Sequence, residues 1–259
     1  MSWKLIQITA VVAALFCVSC SRPDSETVSE PQPADEAAPA AEPMRTPTAA
    51  GGGGGSDPTV VDPGHYTAEF ENEAVRIVRI EYGAGEESVM HYHPNSVAVF
   101  LTDIGGQMRM PDGSTMEIAA SAGDAVFNPA REHLPKNMSD SAWEVIEVEL
   151  KPRDSVQEEP GGPDAIVADA DHYTSEFENE AVRILRIAYG AGEESVMHYH
   201  PDSVAVFLTD HLVQMTMPDG STEEISAAAG DAIFSPGGQH LPKNISDSAW
   251  ELVLIELKE

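Results

Sequence analysis

Residues 65–103 read HYTAEFENEAVRIVRIEYGAGEESVMHYHPNSVAVFLTD, and residues 172–210 read HYTSEFENEAVRILRIAYGAGEESVMHYHPDSVAVFLTD. The repeat begins at His65 and again at His172, and the alignment continues without a gap to the end of the chain. Most aligned positions are identical, so both copies are expected to share one fold. The sequence therefore predicts two domains of one kind, at 61–152 and 171–259, joined by a linker at 153–170 that is rich in Pro, Gly and acidic residues.

Each copy has the pattern of a small all-β domain. Short runs of apolar residues at 75–80, 96–101, 125–127 and 143–150 are separated by turn sequences such as MPDGS at 110–114. No stretch has the periodicity of a long amphipathic helix. Many short strands of this kind predict a sandwich or a jelly-roll barrel. Each copy is small for an independent core, so we also expect the two domains to pair within the chain.

Six of the nine histidines form two equivalent triplets. His91 and His93 are two residues apart in a β segment, so their rings point to the same face. The triplets are completed as follows: His91, His93 and His133 in the first copy, and His198, His200 and His240 in the second. Three neutral imidazoles suit a divalent transition metal, and three protein ligands leave positions open for water or a substrate. We therefore predict up to one metal ion per domain, with Fe, Ni, Cu, Zn and Mn as candidates.

The residues around both triplets resemble the two sequence motifs of the cupin superfamily. In the first copy, Gly85, His91 and His93 match the first motif, a glycine followed after five residues by His-x-His. The remaining matches, which include the Gly, Pro, His and Asn of the second motif, are Gly123, Pro129, His133, Asn137, Gly192, His198, His200, Gly230, Pro236, His240 and Asn244. The resemblance implies a bicupin, with two tandem double-stranded β-helix barrels of the jelly-roll type that enclose the histidines.

Both copies depart from the first motif, because the glutamate ligand that usually follows the histidine pair is missing. Val97 and Ala98 occupy its expected positions in the first copy. Cupins with three histidines and no glutamate are known, with thiol dioxygenases as an example. The resemblance therefore implies a metal-dependent dioxygenase that acts on a small organic substrate. Loss of a ligand is also typical of cupins that have drifted from catalysis, so the alternative is a non-catalytic protein that binds a metal or a small ligand.

Five polar residues are candidates for lining the substrate pockets: Gln107, Gln214, Arg131, Glu132 and Gln239. The two glutamines at 107 and 214 either face solvent or turn an amide inward, where it would orient water or a substrate oxygen. Glu132 is next to His133 and is a candidate for acid–base chemistry. Because the second copy has Gly238 and Gln239 at the positions of Arg131 and Glu132, the two pockets are expected to differ in access or substrate preference.

Other polar residues are expected to have structural roles. His211, which has no counterpart in the first copy, is expected to be exposed. His65 and His172 are expected to lie at the surface or to pack. The sequence favours neutralisation of carboxylates outside the barrels, rather than binding of an anionic substrate, for four arginines: Arg76, Arg79, Arg183 and Arg186.

The first 60 residues have the features of an export signal and a tether. A mainly apolar run at 5–18 follows Lys4 and is too short for an ordinary membrane span, which predicts a signal peptide at 1–20. The stretch from Cys17 to Cys20 resembles a bacterial lipobox, which implies lipidation of Cys20 and a periplasmic or cell-envelope lipoprotein. The alternative is ordinary cleavage and a soluble periplasmic product. Residues 21–60 are expected to be a disordered tether.

The charge of the chain excludes several partners. A formal net charge of -30 opposes binding to nucleic acid and to anionic lipid headgroups. Contact with a membrane is therefore expected only through the N-terminal lipid anchor. The expected partners of the folded part are small molecules and metal ions.

Overall fold

A computed structural model describes residues 55–152 and 161–258. The predicted signal peptide at 1–20, the lipidation site Cys20, most of the predicted tether and part of the predicted linker lie outside these residues. The regular secondary structure of the described chain is almost entirely antiparallel β-strand, with one four-residue helix at the start of each half. None of its helices has the length and apolar character that crossing a membrane requires.

The first half, called barrel 1 here, is formed by residues 55–152. Two sheets face each other, with the strand orders β1-β2-β9-β4-β7 and β3-β8-β5-β6. Its elements are α1 (Pro58–Val61), β1 (Tyr66–Glu71), β2 (Val75–Tyr82), β3 (His91–His93), β4 (Ser96–Phe100), β5 (Ile104–Arg109), β6 (Thr115–Ala120), β7 (Ala125–Asn128), β8 (Arg131–Asn137) and β9 (Trp143–Leu150).

The second half, barrel 2, is formed by residues 161–258 and repeats this topology. Its sheets have the orders β10-β11-β18-β13-β16 and β12-β17-β14-β15. Its elements are α2 (Ala165–Ala168), β10 (Tyr173–Glu178), β11 (Val182–Tyr189), β12 (His198–His200), β13 (Ser203–Phe207), β14 (His211–Thr216), β15 (Thr222–Ala227), β16 (Ala232–Ser235), β17 (Gly238–Asn244) and β18 (Trp250–Leu257). The jelly-roll architecture and the internal duplication predicted from the sequence are confirmed.

The central strands of the five-stranded sheets are apolar on both faces, which explains why their sequences do not alternate. In β2, Val78 and Ile80 point into barrel 1, whereas Val75 and Ile77 point away from it and are equally buried. A strand that is covered on both sides reads as a nearly continuous apolar run. The strands of the four-stranded sheets have one solvent-facing side and carry more polar residues, as in β6.

The outer faces of the two five-stranded sheets pack against each other and form one core. Ile77 and Ile146 from barrel 1 lie in the same buried cluster as Ile184 and Ile255 from barrel 2. Burial of each such side chain contributes about 1.5–3 kcal/mol. The predicted pairing of the two domains within the chain is therefore present, and it removes from water a face that neither barrel could leave exposed.

This interface has an internal twofold symmetry. Arg79 donates a hydrogen bond of 2.8 Å to the carbonyl oxygen of Gly230, and its counterpart Arg186 donates one of 2.7 Å to that of Gly123. Both glycines have a φ of 90°, which favours glycine, and a side chain there would also approach the opposite barrel. The same surface of each barrel is therefore used against the other, as in a symmetric dimer.

Two short segments, called strap 1 (residues 55–62) and strap 2 (residues 161–169), lie against β3 and β12. Each contains one helix, which is capped by Asp57 in strap 1 and by Asp164 in strap 2. The amide of Tyr92 in β3 donates a hydrogen bond of 2.9 Å to the carbonyl of Ser56. The ordered chain thus extends into segments that were predicted as tether (21–60) and linker (153–170), because capping and strand contacts hold it there.

Candidate metal centres

Each histidine triplet gathers on two neighbouring strands. In barrel 1, His91 and His93 lie on β3, and His91 is the direct cross-strand partner of His133 on β8. One ring nitrogen of each residue lies within 4.8 Å of the others. The arrangement repeats in barrel 2 with His198, His200 and His240. The predicted convergence of all six imidazoles is thus present in the structure.

Hydrogen bonds to the outer ring nitrogens fix the tautomers of the paired histidines. Nδ1 of His91 donates to the carbonyl oxygen of Val89 at 2.8 Å, and Nδ1 of His93 donates to Oε1 of Glu149 at 2.7 Å. A neutral imidazole that carries its proton on Nδ1 has its lone pair on Nε2. The Nε2 atoms of His91 and His93 are buried and have no hydrogen-bond partner among the described residues. Two buried, unpartnered lone pairs side by side fit a metal ion.

The pKa values of the imidazoles favour the neutral form that binds metals. Burial, together with the neighbouring charge of His93, lowers the pKa of His91 to about 4. Burial and the other two histidines lower the pKa of His133 to about 2. In barrel 2, burial lowers the pKa of His198 to about 4 and that of His240 to about 3. These four residues are therefore neutral at pH 7.

The third histidine differs between the barrels. In barrel 1, Nε of Arg131 donates a hydrogen bond of 3.2 Å to Nδ1 of His133. This bond favours the tautomer whose proton is on Nε2, so metal binding through Nε2 requires Arg131 to release the ring. In barrel 2, Gly238 replaces Arg131 and His240 has no such competitor. The two sites have the same ligands but different neighbours.

A tyrosine hydroxyl contacts the triplet in barrel 2. The hydroxyl of Tyr173 lies 3.0 Å from Nε2 of His198 and accepts a hydrogen bond of 3.0 Å from Tyr189. The equivalent Tyr66 in barrel 1 instead bonds to Tyr82, with 2.6 Å between their hydroxyl oxygens. Burial raises the pKa of Tyr66 and of Tyr173 well above the ordinary value, so both are neutral donors.

A chain of charged residues connects each triplet to its strap. Glu149 accepts from His93 and, at 2.5 Å, from Nε of Arg76, while Nη1 of Arg76 donates to Asp57 at 2.6 Å. Burial alone would raise the pKa of Glu149, but the hydrogen bonds from His93 and Arg76 hold it below its usual value. Barrel 2 repeats the chain with His200, Glu256, Arg183 and Asp164.

Sequence reasoning missed the two carboxylates that orient the ligands. Glu149 and Glu256 are 2% and 1% exposed, and each lies 56 residues after its histidine partner. A usable signal was present, because each is an inward-facing acidic residue in a strand with mostly buried positions (WEVIEVEL and WELVLIEL). A charged residue at such a position needs a partner inside the barrel.

A cavity of about 310 Å³ extends from the triplet into barrel 1. His93, His133 and Arg131 line it on the metal side, and mostly apolar residues, including Phe100 and Trp143, line the rest. This volume is at the lower end of the range for small-molecule pockets. Arg131 also donates a hydrogen bond of 3.0 Å to Asn128, and it stays a candidate pocket residue.

The other four pocket candidates do not point into the barrels. Gln107 donates to Glu117 at 2.8 Å on the exposed side of β5, and Gln214 lies on the side of β14 opposite to its buried residues. Glu132 alternates with His133 on β8 and lies against Gly55, while Gln239 donates to the carbonyl of Gly161. For the two glutamines this is the solvent-facing alternative that the sequence left open. Strand alternation also places Glu132 and Gln239 outward, where they contact the straps instead of lining a pocket.

The expectation for His211 was also wrong. His211 is 4% exposed and lies inside barrel 2, with its ring 4.1 Å from Trp250 and 4.8 Å from Phe207. Burial lowers its pKa to about 4. The expectations for His65 and His172 were correct, because their rings stack on Tyr82 and Tyr189. Arg79 and Arg186 pair with the partly exposed Glu69 and Glu176, as expected, whereas Arg76 and Arg183 pair with the buried Glu149 and Glu256 and so differ from the expectation of carboxylates outside the barrels.

The fold is similar to that of several solved structures. A variant of oxalate decarboxylase from Bacillus subtilis aligns with a TM-score of 0.53 at 14% identity, over 74% of this chain and 72% of that chain. AerE from Microcystis aeruginosa aligns with a TM-score of 0.53 at 13% identity, over 75% of this chain and 98% of that chain. A cupin 2 conserved barrel domain protein from Leptotrichia buccalis aligns with a TM-score of 0.47 at 12% identity, over 74% and 88%. No protein-family model and no curated protein matches the sequence.

Two jelly-roll barrels, each with an inward-facing histidine triplet, define the class as a tandem β-barrel protein with candidate metal centres. Each half has the fold of a cupin barrel, so the described chain carries that fold twice. At these levels of identity, the similarity to known structures concerns the fold.

Proposed function

We propose that the protein is a metal-dependent bicupin in which each barrel binds one divalent transition metal ion. The observation that carries this proposal is the geometry of the ring nitrogens. Three imidazoles converge within 4.8 Å, and in barrel 1 the Nε2 atoms of His91 and His93 are buried without a hydrogen-bond partner in the described chain. Buried lone pairs of this kind cost free energy unless a ligand satisfies them.

The reaction that best matches the site is oxidation of a small organic substrate by dioxygen. A metal ion held by three imidazoles supplies Lewis acidity and open positions for small ligands. The residues of the chain hold and orient it. Glu149 fixes the ring of His93, the apolar cavity wall excludes water, and Arg131 lies at the boundary between the triplet and the cavity.

Two observations favour a non-catalytic role for barrel 2. Tyr173 bonds to His198 at the atom that would bind the metal, and Trp250 packs on His211 inside the barrel. A metal in barrel 2 would then stabilise the fold and leave the reaction to barrel 1. The corresponding alternative for the whole protein is a metal- or ligand-binding protein without turnover.

Metal content tests the proposal directly. The purified protein, stripped with chelator and reconstituted anaerobically with Mn, Fe, Ni, Cu or Zn, should retain two ions per chain of at least one metal. His91→Ala and His198→Ala should each lower this number to one. Gln107→Ala, a change on the exposed side of β5, is the control and should leave it at two. Absence of bound metal in the unmodified protein under all five conditions would refute the proposal.

We also propose that the chain is exported and anchored through a lipid on Cys20. The apolar run at 5–18 and the lipobox-like segment that ends at Cys20 support this. Cys20→Ser should abolish incorporation of labelled palmitate and release the protein from the membrane fraction of a bacterial host. Unchanged labelling would contradict the proposed site.

A further inference from the structure

The interiors of the two barrels differ although their histidine triplets are the same. Glu147 on β9 is 7% exposed and lines the cavity of barrel 1. Its counterpart in barrel 2 is Leu254, which belongs to a buried apolar cluster together with Leu252 and Trp250. Both triplets have one buried carboxylate, Glu149 or Glu256, that holds a histidine; barrel 1 has a second one, Glu147, which barrel 2 lacks.

The position of Glu147 places it close to the candidate metal. Glu147 and Glu149 face the same side of β9, and Glu149 holds the ligand His93. Two residues along a strand correspond to roughly 6.6 Å, so Glu147 lies about this distance farther along β9 from the triplet than Glu149 does. Both Glu147 and His93 line the cavity, so a single small molecule can reach both.

The hydrogen bonding of Glu147 is incomplete. Ser96 donates to Oε1 of Glu147, and within residues 55–152 and 161–258 this is the single hydrogen bond to that side chain. Neither carboxylate oxygen of Glu147 is among the fully buried side-chain atoms without a partner, so its free acceptor capacity faces the cavity, where a donor can reach it. The cavity is the place from which such a donor can come.

A glycine in barrel 1 keeps this cavity open. The ring of Trp143 lies directly over Gly106, in space that a side chain at that position would need. The counterpart of Gly106 is Val213, which is fully buried, and in barrel 2 the ring of Trp250 lies 4.1 Å from His211. The valine thus takes the space that Trp143 uses in barrel 1, and apolar and aromatic groups pack inside barrel 2.

From these differences we infer that barrel 1 contains a binding site for a small apolar molecule that carries an N–H or O–H donor. Glu147 accepts the hydrogen bond from that donor and holds the molecule beside His93 and His133. The remaining walls, which include Phe100 and Trp143, contact its apolar part. Barrel 2 lacks this site because Leu254 cannot accept a hydrogen bond.

An ammonium group matches the site better than a hydroxyl group. A buried carboxylate is stabilised most by a charged donor, and the net charge of -30 draws cations towards the protein. The inference deepens the proposed function. Only the presence of a metal beside the bound molecule rests on that proposed function. The binding of the donor itself depends on Glu147 and the cavity.

Calorimetric titration with three probes of similar size tests the inference. Benzylamine carries an ammonium donor, benzyl alcohol carries a hydroxyl donor, and toluene carries neither. We expect one benzylamine per chain, bound more tightly than benzyl alcohol, with both zinc-loaded and metal-free protein. Glu147→Leu, which introduces the residue of barrel 2, should weaken benzylamine binding by about tenfold or more and leave toluene binding unchanged or stronger.

Two further variants keep the test decisive. Leu254→Met is the matched change in barrel 2 and should not alter the affinity for benzylamine. Gly106→Val should move Trp143 into the cavity and weaken the binding of all three probes while Glu147 stays in place. Thermal melting of each variant verifies that it is folded.

Measurement of metal content on the same samples separates this inference from the proposed function. Binding of benzylamine that depends on Glu147, in a protein that takes up no metal, would overturn the metal proposal and support the site. Two bound metals together with no saturable benzylamine binding, binding that Glu147→Leu does not weaken, or two benzylamines per chain would overturn the site.

Discussion

At the scale of single residues, the two candidate metal centres are distinguished by what contacts the third histidine. Nδ1 of His133 accepts from Arg131, whereas His240 faces Gly238 on its own strand. A ring that accepts at Nδ1 carries its proton on Nε2 and must change tautomer before it can bind a metal through that atom. Arg131 therefore competes with the metal in barrel 1.

Replacement of Arg131 should strengthen metal binding in barrel 1. Arg131→Gly removes the competing hydrogen bond, and a bond of this kind corresponds to an affinity gain of about tenfold. The measurement is a zinc titration in a His240→Ala background, in which only barrel 1 can bind. The same substitution in a His133→Ala background should leave the affinity of barrel 2 unchanged. A weaker or unchanged affinity of barrel 1 would show that Arg131 does not compete.

His211 should make the stability of the metal-free protein depend on pH. Its pKa is about 4 in the folded state and about 6.5 in the unfolded state, so the unfolded state binds the proton first as the pH falls. Stability is therefore lost between about pH 6.5 and pH 4, and the contribution of this residue between pH 7 and pH 5 is roughly 2 kcal/mol.

His211→Ile, which introduces the residue of barrel 1, should remove that contribution. Urea unfolding of the chelator-treated proteins at pH 7 and pH 5 measures it. The difference between the two pH values should be smaller in the variant than in the unmodified protein. An equal difference would show that His211 is protonated equally in both states.

At the scale of elements, the straps are coupled to the metal ligands. Asp57 in strap 1 binds Arg76, which binds Glu149, which orients His93. Burial opposes ionisation of Asp57, but the hydrogen bond from Arg76 keeps its pKa below the usual value. The strap thus contributes one end of a chain of charges that ends at the ring of a ligand.

Interruption of this chain should weaken metal binding in one barrel at a time. Glu149→Gln removes the carboxylate that orients His93 and should lower the zinc affinity of barrel 1 by about 10–100-fold, and Asp57→Asn should lower it less. Titrations in the two single-site backgrounds measure both effects. Glu256→Gln serves as the matched variant and should act on barrel 2 alone. Equal losses in both barrels would indicate general destabilisation instead.

At the scale of the whole molecule, the two barrels behave as the halves of a symmetric dimer. Phe70 stacks on Phe234 with ring centroids 5.6 Å apart, and their counterparts Phe177 and Phe127 stack at 5.7 Å. The buried cluster between the barrels contains equivalent residues from both. Each barrel alone would expose this apolar face, and large exposed apolar patches are unstable in water.

An isolated barrel should therefore pair with a second copy of itself. A fragment of residues 161–259 is expected to form a homodimer through the face that normally contacts barrel 1. Light scattering coupled to size-exclusion chromatography measures its mass. The same fragment with Ile255→Asp carries a charge in the middle of that face and should not dimerise. A folded, monomeric unmodified fragment would contradict the expectation.

The sequence by itself determined the fold and the candidate metal ligands. The alternation of a β-strand places His91 and His93 on one side whatever surrounds them, and the glycine, proline and asparagine of the motifs recur at fixed spacing in both copies. Duplication made the pattern visible twice. These features depend on local geometry, which short stretches of sequence specify.

The tertiary structure alone decided the surroundings of the ligands. Glu149 meets His93 across 56 residues of chain, and Arg79 reaches Gly230 in the other barrel. Strand alternation predicts which charged residues face the barrel interior. The partner of each buried charge depends on which strands become neighbours. The cavity of barrel 1 depends on the position of Trp143, the ring of which packs over Gly106. That contact is set by tertiary packing and cannot be read from either residue alone.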